Sequence, residues 1–87
     1  MSMAQRSGDL ERFHEVMKMF AVDNTRPNQK LGEQLFELSE SFPAHSPEND
    51  IATDALVWTE TEPDFPVPAS RAEILKRYQA LLEHDRN

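Results

Sequence analysis

The sequence predicts an all-α fold, a small bundle of three to four helices. Four segments carry apolar residues at helical spacing, and none shows a convincing alternation of apolar and polar residues. Two glycines and six prolines punctuate the chain. The length of 87 residues allows a single domain, residues 1–87, of which 1–6 are expected to be disordered.

The first two helices are predicted over residues 8–22 and 28–41. Each has apolar residues at steps of three and four, which places them on one face of the helix. The stripe of the first helix consists of Leu10, Phe13, Met17 and Phe20, and that of the second consists of Leu31, Leu35, Leu38 and Phe42. Turn-forming residues and Pro27 end the first helix, because a proline cannot continue the hydrogen-bonded pattern.

A third, short helix is predicted over residues 47–58. Ser46 followed by Pro47 is a start signal, because the serine hydroxyl caps free N–H groups and proline fits the first helical position. The apolar face of this helix consists of Ile51, Ala55 and Trp58. Residues 55–58 are also compatible with a short strand, and that alternative stays open.

The fourth helix, predicted over residues 70–84, follows a loop. Residues 59–68 are expected to form this extended, acidic loop, since three prolines in the stretch prevent a regular helix. Ser70 and Glu73 then form a Ser-x-x-Glu capping box. The apolar stripe of the fourth helix consists of Ile74, Leu75, Tyr78, Leu81 and Leu82.

Acidic residues are concentrated in the centre of the chain. The chain carries 16 acidic and 9 basic side chains and a formal charge of −7. Residues 31–70 contain nine acids and no Lys or Arg, whereas residues 1–30 and 71–87 each have a net charge of +1. This distribution argues against nucleic acid and membranes as direct partners and favours a partner protein with a basic surface.

We therefore expect a small acidic protein-binding module that docks a basic partner through residues 33–65. Inhibitors, immunity proteins, antitoxins and DNA mimics act in this way. Unrelieved like charge costs folding stability, and a cationic partner relieves it. Aromatic residues surrounded by charged residues are typical of interface hot spots, so Trp58 and Phe65 are included in the expected site. The expected partner-binding residues are Glu37, Glu40, Glu48, Asp50, Asp54, Trp58, Glu60, Glu62, Asp64 and Phe65.

Other interpretations of the same features stay open. The acids could form a solvated surface only, Trp58 could belong to the core, and Phe65 could fold back over the fourth helix. The protein could also be a non-catalytic accessory subunit or a homodimer that uses apolar residues of the first and fourth helices. The salt dependence of binding distinguishes the acidic binding module from an apolar subunit or homodimer, because only an acid-driven complex should weaken steeply with ionic strength.

Catalytic chemistry finds little support in the sequence. The absence of cysteine removes thiolate metal sites and thiol nucleophiles, and it favours a cytoplasmic location. No nucleophile elbow, phosphate loop or dinucleotide motif is present, so we expect a non-enzyme without a cofactor. Glu11 and His14 match the Glu-x-x-His pair of di-iron bundles, but a complete metal site would need a second copy of the chain.

In outline the chain resembles the colicin nuclease immunity proteins. It shares with them a comparable size, an acidic composition, a short third helix and negative charge on the second and third helices. The third helix of that family carries a characteristic tyrosine pair, where this chain has Val57 and Trp58. The resemblance is therefore architectural, and no site residue carries over from it.

Overall fold

Four α-helices account for most of the chain, which confirms the predicted all-α class. The computed structural model describes residues 3–23 and 25–86, with side chains for 8–23 and 25–84. The helices are α1 (Met3–Val22), α2 (Gln29–Ser41), α3 (Pro47–Glu60) and α4 (Arg71–Arg86). No strand is present in the described ranges, so the strand alternative for residues 55–58 was wrong. None of the helices described combines the length and the apolar character needed to cross a bilayer.

Three helix ends differ from the predicted ones by more than one residue. α1 begins at Met3 rather than near residue 8, because the added residues include good helix formers and the glycine costs only about 1 kcal/mol. Of the segment predicted to be disordered, the first two residues lie outside the described part of the chain and the others belong to α1. α3 and α4 each continue two residues further than predicted. α3 stops short of Pro63, which disfavours helical conformation in the residue before it.

The four helices form an up-and-down bundle in which successive helices run antiparallel. At one end, the backbone N–H of Asn28 donates to the carbonyl of Thr59 at 2.9 Å, which places the start of α2 beside the end of α3. At the same end, the Arg71 guanidinium donates to the carbonyls of Phe20 and Ala21, which places the start of α4 beside the end of α1. The α1–α2 and α2–α3 connections, residues 23–28 and 42–46, are short, which is typical of antiparallel neighbours.

The start signals read from the sequence are confirmed by the caps. The Ser46 hydroxyl accepts a hydrogen bond from the N–H of Asn49 at 3.1 Å, with Pro47 in the first turn of α3. The Ser70 hydroxyl accepts from the N–H of Glu73 at 3.2 Å. Each cap satisfies an N–H group that has no partner within its own helix, so the helices begin where these side chains stand.

The core is apolar and aromatic and draws on all four helices. Phe13 meets Phe42 and Tyr78 edge to face, with ring centroids 5.3 and 5.6 Å apart, and Phe20 meets Trp58 in the same way at 5.4 Å. Such edge-to-face pairs stabilise the core beyond the burial of their area. The stripes predicted from the sequence therefore point inward, and their fully buried members include Phe13, Met17, Phe20, Leu35, Leu38 and Ile74.

Candidate functional site

Two ion pairs divide the nine central acids into neutralised and unneutralised groups. Arg12 of α1 lies 2.5 Å from Glu37 of α2, and Arg77 of α4 lies 2.6 Å from Asp54 of α3. Among the described residues, the other seven acids of segment 31–70 have no ion-pair partner. These seven are Glu33, Glu40, Glu48, Asp50, Glu60, Glu62 and Asp64. The flanking helices thus neutralise only the acids that border them.

The outer side of α2 carries a half-exposed aromatic residue that the sequence analysis missed. Phe36 is 51% exposed and stands off the stripe formed by the buried leucines of α2. Glu33 lies three residues before it and Glu40 four residues after it, so both carboxylates neighbour the ring on the helix surface. The signal available in the sequence was an aromatic residue outside the apolar stripe and flanked by acids. That signal indicates an exposed ring, whereas an apolar stripe by itself identifies only the buried residues.

The other side of Phe36 faces the seam between α2 and α3. Gly32 and Ser39 lie four residues before and three after Phe36, and both meet α3. A Cβ atom added to Gly32 would lie 2.7 Å from Glu60 Oε1, and the Ser39 carbonyl accepts from Asn49 Nδ2 at 2.6 Å. Phe36 therefore lies midway along the outside of the seam, between two points of close contact.

A matching row of residues runs along the α3 side of the seam. Asn49 and Glu60 both reach α2, and the helical spacing of Thr53 and Leu56 places them in the same row. Leu56 is half-buried and packs partly on the core, so it extends the apolar surface next to Phe36. We call the surface formed by Glu33, Phe36, Glu40, Leu56 and Glu60 the α2–α3 face.

Not all predicted partner-binding acids share this face. Asp54 bonds to Arg77, and Asp50 lines an open groove of about 400 Å³ between α3 and α4 together with Ile51, Leu81 and His84. Glu48 and Asp50 stand in the first turn of α3, where negative charge stabilises the helix dipole. Glu37 is turned toward Arg12 of α1. The structure therefore distributes the acids over several sides of the bundle.

The two predicted interface aromatics have different environments. Trp58 is only 8% exposed and packs on Phe20, so it belongs to the core, and its expected role as an exposed hot spot is corrected. Phe65 is 59% exposed and does not close over α4. It ends a turn in which its N–H donates to the Glu62 carbonyl at 3.0 Å. Glu62 and Asp64 in this turn are exposed as well.

The two members of the Glu-x-x-His pair of α1 differ in exposure, and His14 is half-buried. Glu11 is exposed, whereas His14 Nδ1 lies 2.7 Å from the Tyr78 hydroxyl of α4. Burial raises the pKa of Tyr78 above its ordinary value of 10.0. In the part of the chain that the structure describes, no three or more metal-ligating side chains come together. The polar contact of His14 thus ties α1 to α4.

The arrangement of the four described helices and the formal charge of −7 define a small acidic antiparallel four-helix bundle. No protein-family model, curated protein or solved structure matches the chain.

Proposed function

We propose that this protein is a small acidic binding module that docks a basic surface of a partner protein. Inhibitors, antitoxins, immunity proteins and DNA mimics are regulators of this type. Support comes from the formal charge of −7 and from the seven central acids that lack an ion-pair partner among the described residues. A negative field of this kind steers a basic partner and raises the association rate.

The observation that carries the proposal is the composition of the α2–α3 face. Its centre is apolar and accessible, because Phe36 is half-exposed and Leu56 lies beside the same seam. Three carboxylates, those of Glu33, Glu40 and Glu60, surround this centre and are exposed. An aromatic anchor with a charged rim has the anatomy of an interface hot spot. The proposed site therefore includes Glu33 and Phe36 and leaves out Trp58 and Asp54.

The test is a pull-down from native lysate with the wild-type chain as bait, washed at low and at high salt. A variant that carries Glu33→Lys, Glu40→Lys and Glu60→Lys reverses the face. The matched control carries Glu11→Lys, Glu15→Lys and Glu83→Lys, which change the net charge equally at exposed positions of α1 and α4. Asp54 is left unchanged because its reversal would also break its ion pair with Arg77.

We expect a basic protein that is retained at low salt, released at high salt, kept by the control variant and lost by the face variant. Loss from both variants alike would contradict the proposal, since the net field rather than the face would then hold the partner. Retention by both would contradict it as well, since neither the face nor the net charge would then be needed. A partner that resists high salt and binds the face variant would also contradict it.

A second function, a helical homodimer or accessory subunit, is favoured by one observation on α1. Val22 is 83% exposed and Met19 is 41% exposed, and both lie at the end of this helix. The large apolar residues of α4, by contrast, are buried or half-buried. An apolar interface would therefore use the end of α1. Sedimentation velocity over a range of protein concentrations tests this second function. The expected result is a dimer that persists at high salt and is abolished by Val22→Asp.

A further inference from the structure

We infer that the partner presents an α-helix to the α2–α3 face, with one apolar residue flanked by basic residues about one turn away on each side. This inference deepens the proposed function and rests on it. It specifies the conformation of the partner segment that is recognised, because the charge of the face alone does not define that conformation.

The backbone of the face favours a helical segment over an extended one. The centre of the face lies within α2 and α3, whose backbone N–H and C=O groups are bonded within their own helices. An extended segment would find no free backbone partner there, because strand addition needs an exposed sheet edge and the described residues contain no strand. A helix satisfies its own backbone and brings only side chains to the seam.

The spacing of the carboxylates matches a helix as well. Glu33 and Glu40 are seven residues apart on α2, a rise of about 10.5 Å at 1.5 Å per residue. Phe36 lies between them along α2, on the side of the helix that borders the seam. On a partner helix, basic residues four before and three after an apolar residue span the same ~10 Å on one face. Each basic side chain can then meet a carboxylate while the apolar residue contacts Phe36 and Leu56.

The charge of the face identifies the occupant as a different protein rather than a second copy of this chain. The end of the face near Gly32 has two carboxylates, Glu33 and Glu60, since the Glu60 side chain packs over Gly32. The other end has Glu40. A second copy carries the same formal charge of −7 and would be repelled from this surface, whereas a helix with Lys or Arg at both ends is attracted.

The experiment uses a synthetic helix as the probe. The first peptide is alanine-based and about 18 residues long, which exceeds the length at which such helices become marginal in water. It has a central Leu, with Lys four residues before it and three residues after it. The second peptide has the same composition, but its lysines are moved to the side opposite the Leu. Each peptide is titrated into the full chain, and binding is followed residue by residue through backbone amide NMR signals.

We expect the first peptide to shift signals around Phe36, Leu56 and Ser39 and to bind about tenfold more tightly than the second, as an engaged hot spot implies. In Phe36→Ala the two peptides should bind equally. Because Phe36 is half-exposed, this variant should keep its fold, and Phe36→Gln provides a second variant with a similar loss of apolar contact.

Equal binding of both peptides to the wild-type chain would overturn the inference. So would shifts that map to α1 or α4, or no binding of the first peptide. None of these results decides the proposed function, which stands or falls with the salt-sensitive partner and the charge-reversed face in the pull-down. The two failures are therefore distinguishable.

Discussion

The guanidinium of Arg26 lies over the indole ring of Trp58, 4.5 Å from the ring centroid. The same side chain donates through Nε to the carbonyls of Trp58 and Thr61, at 2.8 and 3.0 Å. One residue of the α1–α2 connection thus covers the ring and satisfies carbonyls at the end of α3. A cation there also stabilises the negative end of the helix dipole.

Arg26→Ala should lower the free energy of unfolding by about 1–3 kcal/mol, because it removes these hydrogen bonds and the cation–π contact. The loss should lie toward the lower limit, since Arg26 Nη2 is buried without a hydrogen-bond partner among the described residues. Arg26→Lys should recover less than half, because an ammonium lacks the planar fork. Urea unfolding followed by circular dichroism measures both, with the exposed Lys30→Ala as control. Equal stability of Arg26→Ala and the wild-type chain would refute the role of this contact.

Gly32 and Glu60 should be energetically coupled. A Cβ atom on Gly32 would lie 2.7 Å from Glu60 Oε1 and 2.8 Å from its Cγ, so the glutamate side chain has to rotate away. Alanine is favoured over glycine inside a helix by roughly 1 kcal/mol. Gly32→Ala should therefore stabilise a Glu60→Ala chain by nearly that amount and the wild-type chain by less. A double-mutant cycle of urea unfolding measures the difference, and a coupling of zero would show that the contact does not matter.

Tyr78 should ionise above pH 10 in the folded chain, because burial raises its pKa. It is the only tyrosine, so the absorbance of tyrosinate reports it directly. The folded form holds the proton more tightly than the unfolded form. The resulting stabilisation is fully present below the unfolded pKa and is lost as pH rises through the folded pKa. Tyr78→Phe should lack this loss. A native titration midpoint at or below that of the urea-unfolded chain would contradict the prediction.

Leu35→Ala and Leu81→Ala should differ in cost although both belong to predicted apolar stripes. Leu35 is fully buried, so its truncation should cost about 2–5 kcal/mol through lost burial and the cavity left behind. Leu81 is half-buried and packs on the edge of the core, so roughly 1 kcal/mol is expected. Urea unfolding with unchanged m-values measures the pair. Equal costs would mean that the burial of Leu81 in solution is greater than the structure shows.

Local signals were sufficient to predict most of the fold. Ser46, Pro47 and Ser70 mark helix starts because capping depends on a few neighbouring atoms, and those atoms are close in sequence. The apolar stripes predicted the core for the same reason, since helical periodicity is local. The start of α1 and the ends of α3 and α4 were less predictable, because helix length beyond a stripe depends on small propensity differences.

The candidate site was less accessible to sequence reasoning. Whether Trp58 is exposed depends on Arg26 and Phe20, which approach it from distant parts of the chain. Phe36 stands off the apolar stripe, as the sequence shows, but its place beside the α2–α3 seam depends on where α3 packs. Both outcomes depend on how helices pair in space. The concentration of acids was visible in the sequence, but their distribution over several sides of the bundle was not.

Hydrogen bonds join α2 and α3 at both ends of the pair. Asn28 bonds to Thr59 at one end, and Asn49 Nδ2 donates to the Ser39 and Phe42 carbonyls at the other, at 2.6 and 3.2 Å. Amide hydrogens in the middle of these two helices should therefore exchange with solvent more slowly than those of helix ends without such hydrogen bonds. Local opening of the pair has to break one of these hydrogen bonds first. A partner that binds this pair would meet a backbone that is already ordered, so that association would cost little backbone entropy on this side.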